Sequence, residues 1–150
     1  MDEIPIFGTR VPGASYRYRP SAYAVVTNQE GQIAIARTPV ACYLPGGGIE
    51  ANETPEQTVV REGQEECGFV LNPIVTIGRA VEVCYSAEEK AYFEKDSFFI
   101  QAEIAGQAEK IEADHELLWL LPQQAISMLT HRSHAWAVQK SVSLCRDQLR

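Results

Sequence analysis

The sequence has 150 residues. This length predicts one domain over residues 1–150, large enough to bury a hydrophobic core. Apolar residues make up 45% and charged residues 22%, and no apolar stretch approaches the roughly 20 residues needed to cross a bilayer, which excludes disorder and membrane insertion. The net charge of -7 excludes nonspecific duplex nucleic acid and anionic lipid as partners, and a phosphorylated substrate would need a local cation such as a metal ion.

Four cysteines are spread along the chain, at positions 42, 67, 84 and 145. None of them forms a CxxC pair, so neither a disulfide framework nor a zinc site is expected. The first residues lack the basic segment and apolar run of a signal peptide. We therefore expect a cytoplasmic protein whose cysteines are reduced and mostly buried.

Three prolines and two glycines interrupt the first twenty residues and predict an irregular lead-in over 1–20. β-Forming residues follow in Ser21–Asn28 and in Gln32–Arg37, where isoleucine alternates with alanine. The intervening residues 28–31 form a turn sequence, so the two segments are predicted to pair as a hairpin. A short apolar run then ends at Pro45-Gly46-Gly47-Gly48.

Clear start and stop signals predict a helix over Pro55–Cys67. Thr54 is a favourable N-cap, and Gln57 stands at the capping-box spacing from it. Proline suits the first helical position, and Gly68 suits the residue that follows the last turn.

The second half of the chain alternates strand and helix patterns. Residues 106–114 are polar and predict a loop, and a final helix capped by Ser133 carries an apolar stripe that ends at Leu149. The remaining predicted elements are strands within Val70–Tyr85, Ala91–Ile104 and Glu116–Leu121 and a short helix over Pro122–Leu129. Strands interleaved with helices predict a mixed β-sheet packed between helices, an α/β or α+β sandwich.

Three carboxylates share one side of the predicted helix. Glu62, Glu65 and Glu66 fall within an arc of roughly 100°, where like charges at i,i+3 and i,i+4 destabilise a helix by roughly 0.2–0.5 kcal/mol per pair. A hard divalent cation would explain the cluster, because carboxylates, waters and substrate phosphates hold Mg²⁺. Without metal, mutual repulsion should raise the pKa values of these groups. The alternative is a solvated acidic helix face.

The segment around this helix resembles the Nudix box, G-x5-E-x7-R-E-U-x-E-E-x-G-U, in which U is a bulky apolar residue. Gly47 and Glu53 occupy the first two fixed positions, and the run-in is Leu44-Pro45-Gly46-Gly47. The segment ends in Arg61-Glu62-Gly63-Gln64-Glu65-Glu66-Cys67-Gly68-Phe69. Gly63 departs from the pattern at the first U position. We expect a larger neighbour to fill the vacated space, with Phe93, Phe98 and Phe99 as candidates.

The resemblance implies a Nudix-type sandwich fold and a metal-dependent hydrolase. It implies that Glu62, Glu65 and Glu66 are catalytic residues that bind Mg²⁺ or Mn²⁺, and that Gly47 belongs to the metal shell. Glu53 is expected to pair with Arg61 or to join that shell, with Gly68 as a structural residue. For the general base, Glu112 is the first choice and Glu116 the second; Glu62 or Glu66 are alternatives.

Substrate contacts are harder to place from the sequence. Arg37 is similar in position to a substrate-contacting arginine of MutT-type members, and Gly46 and Gly47 let backbone approach a ligand closely. His115, His131 and His134 show no metal-ligand spacing with the cysteines and are interpreted as structural or surface residues.

The function that the resemblance implies is hydrolysis of a diphosphate linkage in a nucleoside diphosphate joined to another moiety X. Candidate substrates, all small-molecule nucleotides, are dNTPs, ADP-ribose, dinucleoside polyphosphates and nucleotide sugars. Two alternatives share the fold: a catalytically silent nucleotide sensor and a prenyl-diphosphate isomerase. A homodimer is a further expectation from the family.

Overall fold

A computed structural model describes residues 3–148, with side chains up to residue 146. The elements are β1 (Ile6–Phe7), β2 (Tyr16–Val26), β3 (Ile33–Arg37), β4 (Cys42–Tyr43), β5 (Gly46–Gly48), α1 (Pro55–Cys67), β6 (Phe69–Ser86), β7 (Ala91–Gln107), β8 (Glu116–Leu120), α2 (Pro122–Met128) and α3 (Arg132–Gln148). The five-stranded mixed sheet has the order β1-β6-β7-β2-β5, and the three-stranded antiparallel sheet has the order β4-β3-β8. Among the described residues, none of the helices has the length and apolar character that crossing a membrane requires.

Alternate residues of the central strands pack into two separate hydrophobic cores. On β2, Ala22 and Ala24 face a core that includes Val59 of α1, whereas Tyr23 and Val25 face a core that includes residues of α3. This follows from the period of two along a strand, which sends neighbouring side chains to opposite faces. Helices therefore cover both sides of the sheets, and the predicted α+β sandwich is confirmed.

Helix α1 begins and ends at the predicted residues. Thr54 and Gln57 form the reciprocal capping box, and Gly68 adopts a left-handed conformation with φ of 72° while its N–H donates to Gln64 O. Both ends of the acidic helix are thus fixed by local hydrogen bonds.

Within the described residues, the irregular lead-in predicted over 1–20 is interrupted by β1 and by the start of β2. β1 pairs with β6, and β2 already begins at Tyr16, pairing in parallel with β7 from Tyr16↔Tyr92 onward. Pro20 lies at the end of the pairing with β5, where its carbonyl accepts a hydrogen bond from Ile49 N at 3.0 Å, so its missing N–H falls at the end of that ladder.

The hairpin predicted from Ser21–Asn28 and Gln32–Arg37 is wrong. β2 and β3 belong to different sheets, and between them lie the bridge Thr27↔Ile33 and three hydrogen bonds between Asn28 and Gln32. The turn sequence forms as predicted, but β2 takes its partners from β5 and β7, which are distant in sequence.

Helix α3 starts one residue before the predicted cap and is capped from another element. The carboxylate of Glu82, on β6, accepts hydrogen bonds from the backbone N–H groups of Arg132 and Ser133 and lies 3.2 Å from Nδ1 of His131. Burial alone would raise the pKa of Glu82, but the hydrogen bonds with His131 and Ser133 outweigh it and hold the pKa at about 2. The predicted stripe residue Leu149 lies outside the described residues.

The space next to Gly63 is filled by Leu71, not by the predicted phenylalanines. A Cβ built on Gly63 would lie 2.5 Å from Leu71 Cδ1 and 2.9 Å from Leu71 Cγ. Leu71 is on β6 and 4% exposed. Glycine at this position of the box therefore lets the aliphatic side chain pack directly against the helix backbone.

Candidate metal and active site

Arg61 links Glu53, which lies just before α1, to Gly48 of strand β5. Its guanidinium donates from Nε to Glu53 Oε2 at 2.7 Å and from Nη2 to Glu53 Oε1 at 3.1 Å and to Gly48 O at 3.2 Å. The hydrogen bonds from Arg61 lower the pKa of Glu53 to about 2. In this structure Glu53 pairs with Arg61, the first of the two roles expected for it.

Arg61 also reaches the acidic side of its own helix. Its Nη1 lies 2.9 Å from Glu62 Oε1 and 3.3 Å from Glu65 Oε2. With Glu50 at 3.6 Å, one guanidinium thus pairs with four carboxylates, and it reduces the repulsion between Glu62 and Glu65 on the acidic face of α1.

Glu66 is the most deeply buried carboxylate of the cluster, at 4% exposure. Its Oε1 accepts a hydrogen bond from Gly46 N at 2.8 Å. Burial, reinforced by the charges of Glu62 and Glu112, raises the pKa of Glu66 to about 9. A carboxylate held in this way requires a proton or another cation nearby at neutral pH.

Glu62 shows why glycine is needed at position 47. A Cβ built on Gly47 would lie 2.8 Å from Glu62 Oε1, so any side chain there would displace this carboxylate. Burial raises the pKa of Glu62, opposed by Arg61 and supported by Glu65. The expected rise in pKa is found for Glu62 and Glu66, but burial is its main cause, ahead of the repulsion that the sequence suggested.

The polar loop before β8 is tied to the C-terminal end of α1. Ile111 N and Glu112 N donate to Glu65 O at 3.2 and 2.8 Å, and Ala108 N donates to Gly68 O at 2.8 Å. These bonds use helix carbonyls that have no partner within the helix. They bring Glu112 over the acidic face, as its expected role requires.

Two groups of side chains converge closely enough to share a metal ion. The first group is Glu62, Glu65 and Glu112, and the second is Glu66, Glu112 and His115; within each group the ligand atoms lie within 4.8 Å of one another. Glu112 belongs to both. The structure therefore places all four residues expected to be catalytic around one location.

His115 is the residue of this site that sequence reasoning missed. Its Nε2 lies 3.1 Å from Glu66 Oε2 and its Nδ1 lies 2.9 Å from Glu112 Oε2, and its side chain is 15% exposed. The available signal was its spacing of three residues from Glu112 in a loop already expected to reach the site. Its spacing from the cysteines carries no such signal.

Arg37 and Glu116 lie together beside the cluster rather than within it. They form a salt bridge and line a cleft of about 590 Å³ with Asp114. Glu116, the second choice for general base, is thus engaged by Arg37 and belongs to neither metal-competent group.

A profile of the NUDIX domain matches residues 17–140, most of the chain. The chain belongs to the Nudix family. The family predicted from Gly47–Phe69 is therefore confirmed, and the capped helix with its acidic face is the Nudix box in three dimensions. Members of this family generally use divalent metal ions and act on small nucleotide substrates.

Curated relatives resemble this Nudix protein over part of their length. An RNA pyrophosphohydrolase of Hydrogenovibrio crunogenus is 36% identical over 64 residues, 41% of this chain and 39% of that protein. The 8-oxo-dGTP diphosphatase of Escherichia coli is 43% identical over 54 residues, 32% of this chain and 42% of that protein. The matched part thus spans about two fifths of each relative.

Solved structures agree with the whole fold. The MutT protein from Methanosarcina mazei Go1 superimposes with a TM-score of 0.65 at 21% identity, over 90% of this chain and 98% of that one. At this identity the likeness supports the fold, while substrate choice depends on residues outside the box.

Proposed function

We propose that this Nudix protein hydrolyses the diphosphate linkage of a nucleoside diphosphate joined to another moiety X, with Mg²⁺ or Mn²⁺ as its cofactor. The observation that carries the proposal is the convergence of Glu62, Glu65, Glu66 and Glu112 at one end of α1. The names of the curated relatives, RNA pyrophosphohydrolase and 8-oxo-dGTP diphosphatase, support the same reaction class.

The side chains present fit a hard divalent cation. Glu62, Glu65 and Glu66 offer carboxylate oxygens, the ligands that Mg²⁺ prefers, and Gly47 leaves space in which its backbone can join the metal shell. The pKa of Glu66, raised to about 9 by burial, indicates a carboxylate that lacks a counter-charge. When bound, divalent ions would neutralise the diphosphate and make a coordinated water more acidic.

The chain's own residues supply position and proton transfer. Arg61 holds the carboxylate face in register, and Gly46 fixes Glu66 through its backbone N–H. Glu112 is proposed as the general base that takes a proton from the attacking water. The water oxygen bonds to phosphorus, the bridging P–O bond breaks, and a nucleoside phosphate and phosphorylated X leave.

The cleft at Arg37 is proposed to bind a phosphate or the X moiety of the substrate. Arg37 supplies a cation in a chain of net charge -7, and a substrate phosphate would compete with Glu116 for its guanidinium. The Asp114 and Glu116 carboxylates of the lining suit hydroxyl or amino groups of X. Arg37→Ala should raise KM with a much smaller change in kcat, because the guanidinium lies outside the reacting cluster.

The nucleobase is proposed to bind in a second pocket, of about 540 Å³, lined by Tyr43, Tyr85, Lys95 and His131 among others. Tyr43 lies three residues before Gly46, so their Cα atoms are at most about 11 Å apart. Aromatic rings suit stacking, and the Lys95 ammonium is a hydrogen-bond donor. A pocket of this kind suits a nucleobase better than a prenyl chain, which argues against the isomerase alternative.

A panel of substrates tests the proposal and separates it from the sensor alternative. Phosphate or pyrophosphate release would be measured in Mg²⁺ and Mn²⁺ with 8-oxo-dGTP, ADP-ribose, dinucleoside polyphosphates, nucleotide sugars and 5′-triphosphorylated RNA. We expect release from at least one. Tight nucleotide binding without turnover of any would support the sensor and contradict the hydrolase.

We also propose the cytoplasm as its compartment, because the four cysteines are free in the structure, as in a reducing environment. The homodimer stays a prediction, which the molecular mass in solution would test.

A further inference from the structure

At the Glu66 end of the acidic cluster, a nitrogen of His115 faces a carboxylate oxygen of Glu66. His115 Nδ1 lies 2.9 Å from Glu112 Oε2 and 3.2 Å from Asp114 Oδ1. An ionised carboxylate only accepts hydrogen bonds, so the Nδ1–H donates to this acidic pair. The ring is thereby fixed with Nε2 directed at Glu66 Oε2, 3.1 Å away.

A proton or a metal ion fits between these two atoms. In the neutral ring with its proton on Nδ1, Nε2 presents a lone pair, and an ionised Glu66 Oε2 presents another. Glu66 cannot turn Oε2 away without losing the bond that Gly46 N makes to Oε1 at 2.8 Å. Two facing lone pairs repel each other unless a proton or a metal ion lies between them.

The distance between Nε2 and Oε2 also matches the distance between neighbouring ligands of an octahedral metal ion. Ligands about 2.1 Å from an octahedral ion lie about 3.0 Å apart along each edge, and the Nε2–Oε2 distance is 3.1 Å. A histidine that binds metal through one nitrogen typically donates its other N–H to a carboxylate, as His115 does to Glu112.

We propose that His115 is a metal ligand through Nε2, paired with Glu66, and that Glu112 orients its ring. The inference rests on the proposed metal-dependent function and adds a nitrogen donor to a set of oxygen donors. Imidazole favours Co²⁺ and similar transition ions far more than Mg²⁺. The site should therefore bind Co²⁺ more tightly than its carboxylates alone would.

Electron spin-echo spectroscopy of the Mn²⁺-loaded protein tests direct ligation. We expect modulation from a directly bound ¹⁴N nucleus in the wild type and its loss in His115→Gln, which keeps a polar side chain without the imidazole. Glu109→Gln, an exposed change in the same loop, is the matched control and should keep the modulation. Absence of nitrogen coupling in the wild type, or its persistence in His115→Gln, would overturn the proposal.

Titration calorimetry gives a second readout that does not depend on turnover. His115→Gln should weaken Co²⁺ binding by about 10- to 100-fold and Mg²⁺ binding by less than about threefold. Equal weakening of both ions would show a merely structural role and contradict ligation by nitrogen. If His115→Gln does not fold, His115→Asn and the wild-type spectrum with ¹⁵N-labelled histidine answer the same question.

These outcomes are separable from the proposed function. An all-oxygen metal site that still hydrolyses diphosphates would remove His115 from the metal shell and leave the hydrolase proposal in place. Nitrogen ligation without hydrolysis of any diphosphate substrate would keep His115 in the metal shell and contradict the hydrolase proposal.

Discussion

Replacing Gly63 by alanine sets two opposing effects against each other within one helix. Alanine in place of glycine in a helix interior stabilises by about 1 kcal/mol. The added Cβ, however, would lie 2.5 Å from Leu71 Cδ1 and 2.9 Å from Leu71 Cγ. Overpacking of a well-filled core costs typically about 1–3 kcal/mol. We therefore expect Gly63→Ala to lower the free energy of unfolding by about 0–2 kcal/mol.

The sign of the effect should reverse when the neighbour is shortened. Leu71→Ala alone should destabilise by about 2–5 kcal/mol, because Leu71 is almost fully buried. In that background the alanine methyl at 63 meets open space, and the helix gain of about 1 kcal/mol should be expressed in full. The coupling between the two positions should therefore be about 1–3 kcal/mol.

Urea unfolding of the four proteins, wild type, both single variants and the double variant, measures this cycle. Equal stabilisation by Gly63→Ala in both backgrounds would refute the reasoning, because it would show that Leu71 does not occupy the space beside the glycine.

Three further predictions follow from single contacts. The pKa of Glu82 is about 2, below its unfolded value, so the Glu82 carboxylate stabilises the folded protein above about pH 4.5 and this stabilisation is lost as the pH falls toward 2. Glu82→Gln should therefore lower the free energy of unfolding at pH 7 by about 1–3 kcal/mol. In acid-unfolding curves, the difference between the two proteins should narrow below about pH 4. Nδ1 of the buried His134 accepts from Leu44 N at 3.2 Å, so His134→Leu should weaken the protein in thermal unfolding by about 1–3 kcal/mol, whereas His134→Asn, which keeps an acceptor, should recover part of the loss. Gly47→Ala should reduce kcat at least about 100-fold by displacing Glu62, with little change in the far-ultraviolet circular dichroism spectrum.

Features encoded by neighbouring residues were predictable from the sequence. The bounds of α1 follow from Thr54, Gln57 and Gly68, each acting within one turn of the helix. The acidic face follows from the helical period, since residues at i, i+3 and i+4 share one side.

Features that depend on distant partners were not predictable from the sequence. The β2–β7 pairing joins segments about 75 residues apart in the chain, and the cap of α3 comes from Glu82 on another strand. Leu71 fills the space at Gly63 because of how β6 crosses the helix, a property that no local pattern records. His115 reaches Glu66 only because the loop before β8 folds back on the end of α1.

The carboxylates of α1 are proposed to hold a divalent ion for diphosphate hydrolysis. The most direct test of this proposal is Mg²⁺-dependent release of phosphate or pyrophosphate from the preferred substrate by the wild type and by the double variant Glu65→Gln/Glu66→Gln. Glu56→Gln, an exposed change on the same helix, serves as the matched control. We expect the control to retain wild-type activity and the double variant to lose its activity while keeping its circular dichroism spectrum; full activity of the double variant in Mg²⁺ would contradict the proposal.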